Sequence, residues 1–248
     1  MVSLGRGYTC LCGARRWLRI KANQETSKST AAMSFLNQLK NQAEALQSQT
    51  QGAQAGLKEN TQATEMACRM ASKYLQDLCA QLNVISPPAA GSYTLDGKTP
   101  WPNLVMRDFR ADARKKMLRG VEAFDYIGCA WRLIPSTGQV AQHRVAVNFP
   151  PDLERVVQRL SNGQIKHERK EQRHPETNKL QAYVFEYTTE SRGSVTLTPD
   201  HDKAQIAFRV GNVGGFEILN AVYPSSQVTS SLMDELAKKL VGQVSRFG

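Results

Sequence analysis

No stretch of this sequence is long and apolar enough to cross a membrane as a helix. A span needs about 20 consecutive apolar residues, whereas the longest uncharged apolar run in the middle of the chain is YIGCAW, at 126–131. The first segment also lacks the apolar core of a secretory signal, because Arg15, Arg16 and Arg19 interrupt it. The sequence therefore predicts a protein with no membrane span.

Cysteine is scarce, and its spacing does not fit the common disulfide and metal patterns. The count of five is odd, and no two cysteines are spaced as CxxC, so a paired disulfide framework and a four-ligand zinc site are both poor interpretations. We interpret these residues as free thiols in a reducing compartment and predict a cytoplasmic protein. The five are Cys10, Cys12, Cys68, Cys79 and Cys129.

Motifs of catalysis are missing as well. The chain has no GxSxG, no Walker loop, no HExxH, and no GxGxxG between a strand and a helix. The glycine-rich segment 211–215 lies between two predicted strands, and Asp200-His201-Asp202 occupies a hairpin tip, so we interpret both as turns. We predict no catalytic residue, no metal site and no cofactor. An enzyme whose site is assembled from dispersed residues remains an alternative.

Basic residues are concentrated at the N-terminus. The formal net charge is +10, and residues 1–32 supply half of it, with six Lys or Arg and Glu25 as their one acid. This composition is typical of a dispensable extension before a start at Met33, or of a transit peptide that would direct the protein to an organelle matrix. The remaining 216 residues carry an ordinary charge excess for a domain of this size.

Residues 33–85 are predicted to form a helical arm. Apolar or small side chains alternate there at spacings of three and four, which is the pattern of a thin coiled-coil seam. The seam residues are Leu36, Leu39, Ala43, Leu46, Thr50, Ala53 and Leu57. A second apolar series begins at Cys68 with its register offset.

Two glycines weaken the helix between these series. Gly52 and Gly56 each cost about 1 kcal/mol relative to alanine, so we predict two helices, over about 34–51 and 58–83. An apolar stripe on a helix must be covered. We therefore expect residues 34–83 to form a homo-oligomer or to dock on a protein partner.

After a linker at 86–102, residues 103–248 are predicted to fold as one α+β domain. The segment 103–119 has an apolar residue at every fourth position and a basic opposite flank, which indicates a helix. Later segments alternate with a period of two, and the first pair, FDYIGCAWRLI and QVAQHRVAVNF, predicts a hairpin. The predicted fold class is α+β, an antiparallel sheet of six or seven strands with helices packed on one face, preceded by the arm.

Two basic groups are the candidate binding residues. Arg107, Arg110 and Arg114 lie on the predicted helix 103–119, and the predicted hairpin 165–189 carries the second group, Lys166, Lys170, Tyr183 and Tyr187. If Arg173 pairs with Leu180, Lys170 faces Tyr183 and Lys166 faces Tyr187. Cations interleaved with aromatic rings are typical of single-stranded nucleic-acid binding, although the same aromatics also fit a buried core.

The sequence thus predicts a non-catalytic interaction or ligand-binding protein that self-associates or docks through the helical arm. Nucleic-acid binding through 103–119 and 165–189 is the alternative, and an enzyme with a dispersed site is the second alternative.

Overall fold

The computed structural model describes residues 35–248. The predictions for residues 1–32 and for a start at Met33 lie outside this part of the chain. Residues 35–55 and residues 56–248 belong to two separate units, each described by itself. Within the described residues, no helix combines the length and the hydropathy that crossing a membrane requires.

The arm is one helix, α1, that runs from Phe35 to Ile85. The prediction of two helices with a joint at Gly52 to Gly56 was wrong. Glycine lowers helix propensity but keeps its backbone N–H, unlike proline, so the hydrogen-bonded ladder continues through it.

Residues 86–248 form eight strands and two further α-helices. The helices are α2 (Pro150–Asn162) and α3 (Ser230–Leu240), with a short 3-10 helix at Ser225–Gln227. The strands are β1 (Leu104–Leu118), β2 (Val121–Pro135), β3 (Gln142–Val147), β4 (His167–Arg173), β5 (Leu180–Thr188), β6 (Ser191–Asp200), β7 (Gln205–Gly211) and β8 (Ile218–Pro224).

The strands form two antiparallel sheets, and the predicted α+β class is confirmed. One sheet has five strands in the order β1-β2-β6-β7-β8, and the other has three in the order β3-β5-β4. The predicted hairpin between β2 and β3 was wrong, because β2 pairs with β1 and β6 whereas β3 pairs with β5. The single sheet of the prediction is therefore divided in two, with eight strands in place of six or seven.

The predicted helix 103–119 is strand β1. An apolar residue at every fourth position fits one face of a strand as well as one face of a helix, so the spacing did not distinguish them. Arg119 and Gly120 both have positive φ, at 50° and 80°, and form the two-residue turn into β2. Turns of this kind match the twist of a hairpin.

The β1–β2 hairpin extends beyond the rest of its sheet. Strand β6 pairs with β2 only over Ile127 to Leu133, whereas β1 pairs along the whole of β2. Residues 114–126 therefore form a two-stranded ribbon around the turn, which ion pairs such as Lys115–Glu122 and Lys116–Asp125 link across its strands.

The core lies between the five-stranded sheet and the C-terminal part of α1. That part of the helix buries Cys68, Ala71, Leu75, Cys79 and Leu82, so the second apolar series covers the sheet. Helix α3 lies beside it and buries its own apolar face, Met233, Leu236 and Leu240. A hydrogen bond of 2.6 Å from the Tyr74 hydroxyl to Asp234 joins the two helices.

A polar side chain, Asn83, fixes α1 on β1. Asn83 donates from Nδ2 to the Phe109 carbonyl at 2.9 Å, and its Oδ1 accepts the Phe109 N–H at 2.8 Å. Phe109 lies where β1 shifts register between Arg107 and Arg110. The amide thus pairs backbone groups that would otherwise lose partners at the bulge.

Residues 86–102 also contribute to the core. Tyr93, Leu95 and Trp101 are buried, and Trp101 packs edge-on against Phe216 and stacks on Tyr187 of β5. These aromatic contacts connect the three-stranded sheet to the β7–β8 turn.

We expect Gly193→Ala to destabilise the protein by about 2–3 kcal/mol. A methyl group at this position would overlap the ring of Trp131, which is 1% exposed and cannot move aside. The matched control is Gly211→Ala in the same sheet, where the nearest side-chain atom, Ser194 Oγ, is 3.6 Å from the added carbon. Urea unfolding should place the control within about 0.5 kcal/mol of wild type; equal losses would contradict the steric explanation.

Candidate functional site

The face of the five-stranded sheet opposite α1 is open to solvent and rich in arginine. We call it the outer face. Small residues occupy its centre, and arginines occupy its margin. The central residues are Gly128, Ala130, Ser194, Thr196 and Gly211.

Three arginines stand directly opposite one another on this face. Arg107 of β1 pairs with Arg132 of β2, and Arg132 pairs with Arg192 of β6. Like charges directly opposite on neighbouring strands destabilise a sheet. Two carboxylates reduce the repulsion at the middle of this row, because Arg132 contacts both Glu190 and Asp108 at 2.9 Å. Glu190 and Asp108 raise the pKa of Arg132 above its ordinary value.

A fourth arginine completes the group that we call the arginine cluster, Arg107, Arg110, Arg132 and Arg192. Arg110 pairs with Ala130 in the adjacent row, and a depression of about 180 Å³ over Ala130 is lined by Arg110, Arg132 and Arg192 together with Asp108. Among the described residues, no carboxylate lies within 4.0 Å of Arg107, Arg110 or Arg192. These three guanidinium groups can therefore receive an anion.

The third arginine of the sequence prediction, Arg114, belongs to the ribbon. It lies opposite Tyr126 and contacts Asp125 at 2.7 Å. Lys116 and Arg114 together lower the pKa of Asp125. Arg114 thus shares a strand with Arg107 and Arg110, but its charge is already paired.

The structure corrects the predicted register of the second basic group. Arg173 does pair with Leu180, but a bulge follows, and Lys170 then lies opposite Val184 and not opposite Tyr183. A shift of one residue moves a side chain to the other face of the sheet. Likewise His167, and not Lys166, lies opposite Tyr187.

Charges on β4 and β5 are largely compensated within the sheet. Lys170 contacts Glu186 at 2.5 Å and Glu168 at 3.7 Å. The cation that does stack on an aromatic ring is Arg169, whose guanidinium lies 3.9 Å from the centre of the Tyr183 ring. Lys170 is therefore committed to carboxylates on the opposite face from Tyr183.

The two tyrosines differ in their burial. Tyr187 is 5% exposed and stacks on Trp101 with ring centres 5.8 Å apart, whereas Tyr183 is half-buried. Tyr187 is thus a core residue. The structure does not bring Lys166, Lys170, Tyr183 and Tyr187 together as one binding platform.

A separate apolar cleft of about 490 Å³ lies between α1 and the ribbon. Met66, Leu118 and Val121 line it, with Glu65 beside them. The Glu65 Oε1 accepts a hydrogen bond from the Phe124 N–H at 2.6 Å. This buried carboxylate is therefore already hydrogen-bonded to the backbone of β2.

His201, in the β6–β7 turn, bonds to the other backbone group of Phe124. Its Nε2 donates to the Phe124 carbonyl at 2.8 Å and lies 3.9 Å from Glu65 Oε1. Pairing of β2 with β6 begins only at Ile127, so Glu65 and His201 supply the hydrogen bonds that a neighbouring strand would have given Phe124. The predicted turn at Asp200-His201-Asp202 therefore also braces the ribbon.

Sequence reasoning missed Arg132 and Arg192. They are 60 positions apart in the chain and meet only through the pairing of β2 with β6. The alternation of side chains within each strand was a usable signal. It places Arg132 on the opposite face of the sheet from Trp131 and Leu133, and Arg192 on the opposite face from Gly193.

No protein-family model, no curated protein and no solved structure matches this chain.

We expect Tyr187→Ala to cost about 3–4 kcal/mol of unfolding free energy, because it removes a buried ring from the core. Tyr183→Ala is the matched control and should cost less than about 1.5 kcal/mol, since Tyr183 is only partly buried and loses less apolar contact. Chemical denaturation of both variants measures the difference. Small and equal losses would show that Tyr187 is available for stacking on a ligand.

Proposed function

We propose that this protein is a non-catalytic interaction protein that self-associates through residues 35–57 of α1. The observation that carries the proposal is the exposed apolar stripe of this segment. Leu36, Leu39 and Leu46 are 59%, 44% and 62% exposed, and every residue from 35 to 56 is exposed.

A helix of this kind gains stability when its stripe is covered. Isolated helices are marginally stable in water, and most helical stability comes from packing of the apolar face. The stripe keeps the alternation of three and four that two packed helices share. Its length of about 22 residues corresponds to about 33 Å of helix.

A second copy of this segment is the partner that best fits its flanks. The positions beside the seam are uncharged except for Lys40, and the others include Gln42, Gln47, Gln49 and Gln54. Such flanks bring almost no like charges together when two copies pair. Alanine and threonine at other seam positions allow the two helices to approach closely.

The arginine cluster supports a second candidate function, the binding of single-stranded nucleic acid. Phosphate contacts depend on Lys and Arg and do not require a particular base. The small residues at the centre of the outer face leave room for a chain of phosphates to reach three unpaired arginines. This interface replaces the predicted one on 103–119 and 165–189, of which it keeps Arg107 and Arg110.

We expect the full chain to be a dimer or a larger species, and Leu39→Lys with Leu46→Lys to convert it to a monomer. Two lysines in the seam would place charges where two copies pack. The matched control, Asn41→Lys with Ser48→Lys, adds the same charge to the opposite side of the helix and should leave the assembly unchanged. Light scattering coupled to size exclusion gives the masses.

A monomeric wild-type chain across the accessible concentration range would overturn self-association. Equal effects of the two double variants would also contradict it, because charge alone, and not the seam, would then control assembly.

The nucleic-acid candidate makes a different prediction. Arg110→Ala with Arg192→Ala should weaken binding of a single-stranded oligonucleotide about tenfold or more at about 50 mM salt, and lower the slope of log affinity against log salt by about 1.4. The control, Lys98→Ala with Arg144→Ala, removes two exposed cations elsewhere and should have little effect. Fluorescence anisotropy measures both. No binding by wild type at low salt, or equal loss in both variants, would exclude this interface.

A further inference from the structure

Two buried thiols from distant parts of the chain meet beneath the five-stranded sheet. Cys79 lies on α1 and Cys129 on β2, and their sulfur atoms are 2.8 Å apart. The two residues are 4% and 2% exposed. Fifty positions separate them in the sequence, so their contact is created by the packing of α1 on β2.

This contact satisfies the main requirement for a cross-link between two cysteines. Disulfide formation needs two sulfur atoms that can reach bonding distance without backbone movement. Helix α1 on one side and strand β2, an interior strand of the sheet, on the other are held in the core, so the two side chains remain facing each other. Cys68 is equally buried on the same helix but has no hydrogen-bonded thiol partner among the described residues.

We propose that Cys79 and Cys129 are a modification site, at which a peroxide-class oxidant joins the two sulfur atoms as an internal disulfide between α1 and β2.

The two thiols have different roles in this reaction. The hydrogen bond from Cys129 lowers the pKa of Cys79, and that same hydrogen bond, together with burial, raises the pKa of Cys129. Cys79 is therefore the sulfur that attacks the peroxide, since the thiolate is the nucleophile. Burial raises the pKa of Cys68 to about 12, so Cys68 stays protonated.

The chemistry balances in two steps. The Cys79 sulfur attacks one peroxide oxygen, the O–O bond breaks, and Cys79 becomes a sulfenic acid while the second oxygen leaves as water after taking a proton. The Cys129 sulfur then attacks the Cys79 sulfur, the S–O bond breaks, and the hydroxyl leaves as a second water with the Cys129 proton. Two thiols lose two electrons and two protons, and one hydrogen peroxide is reduced to two waters.

The disulfide would fix the C-terminal part of α1 on the sheet. It would close a loop of about 50 residues and thereby restrict the unfolded chain, which raises stability. Oxidation therefore affects the element that covers the core, and it does so without placing any new group at the surface.

The test uses the full wild-type chain treated with hydrogen peroxide, blocked with an alkylating agent in denaturant and digested with trypsin without reduction. Cys68, Cys79 and Cys129 fall in separate peptides, 59–69, 74–98 and 120–132, and none of these peptides contains Cys10 or Cys12. We expect 74–98 and 120–132 to appear as one linked species with the mass of both peptides less two hydrogens. Peptide 59–69, which holds Cys68, should appear singly and alkylated.

Thermal unfolding provides the second measurement. The oxidised chain should melt about 5–10 °C above the reduced chain, and Cys79→Ser should lose both the linked species and this increase. Cys68→Ser, a change of the same type in the same helix, should keep both. Recovery of 74–98 and 120–132 as separate alkylated peptides, or a link from either to another cysteine, would overturn the proposal.

Discussion

The C-terminal part of helix α1 covers the inner face of the five-stranded sheet, and the rest of residues 56–248 depends on that contact. The apolar residues from Cys68 to Leu82 supply the burial, and two polar side chains, Glu65 and Asn83, fix its position by bonding to the backbone of Phe124 and Phe109. Without the helix, one face of a sheet that buries Trp131, Leu197 and Phe208 would be exposed to water. The helix is therefore as much a part of the domain core as any strand.

Because helices cover the inner face, the outer face is free to carry charge. The row from Arg107 to Arg192 opposes like charges on three strands, an arrangement that costs stability unless anions lie nearby. Asp108 and Glu190 provide two such anions at Arg132 and none at either end. Within residues 35–248, Arg107 and Arg192 therefore keep uncompensated charges at the two ends of the row, on a face that is open to solvent.

Elements with one clear period could be predicted from the sequence, and elements whose pattern fitted two periods could not. Strands β6 and β7 alternate between buried and more exposed side chains, as their period of two predicts. The prediction of a helix over 103–119 failed because a spacing of four fits a helix and a strand alike. Only the pairing with β2 decides between them. The candidate site was harder to predict than the fold, because Arg132 and Arg192 meet only through strand pairing. In addition, one bulged residue near Gln181 was enough to move Lys170 away from Tyr183.

The two-stranded ribbon at the end of the β1–β2 hairpin has a dynamic consequence. A ribbon of two strands is marginally stable by itself, and here its support comes from surface ion pairs and from the hydrogen bonds that Glu65 and His201 make to Phe124. Its amide hydrogens should exchange with solvent through local opening, at a free-energy cost below that of global unfolding. Each opening would widen the adjacent cleft at Met66 and Val121 while the five-strand core stays folded. The volume of 490 Å³ therefore describes the cleft only while the ribbon is paired.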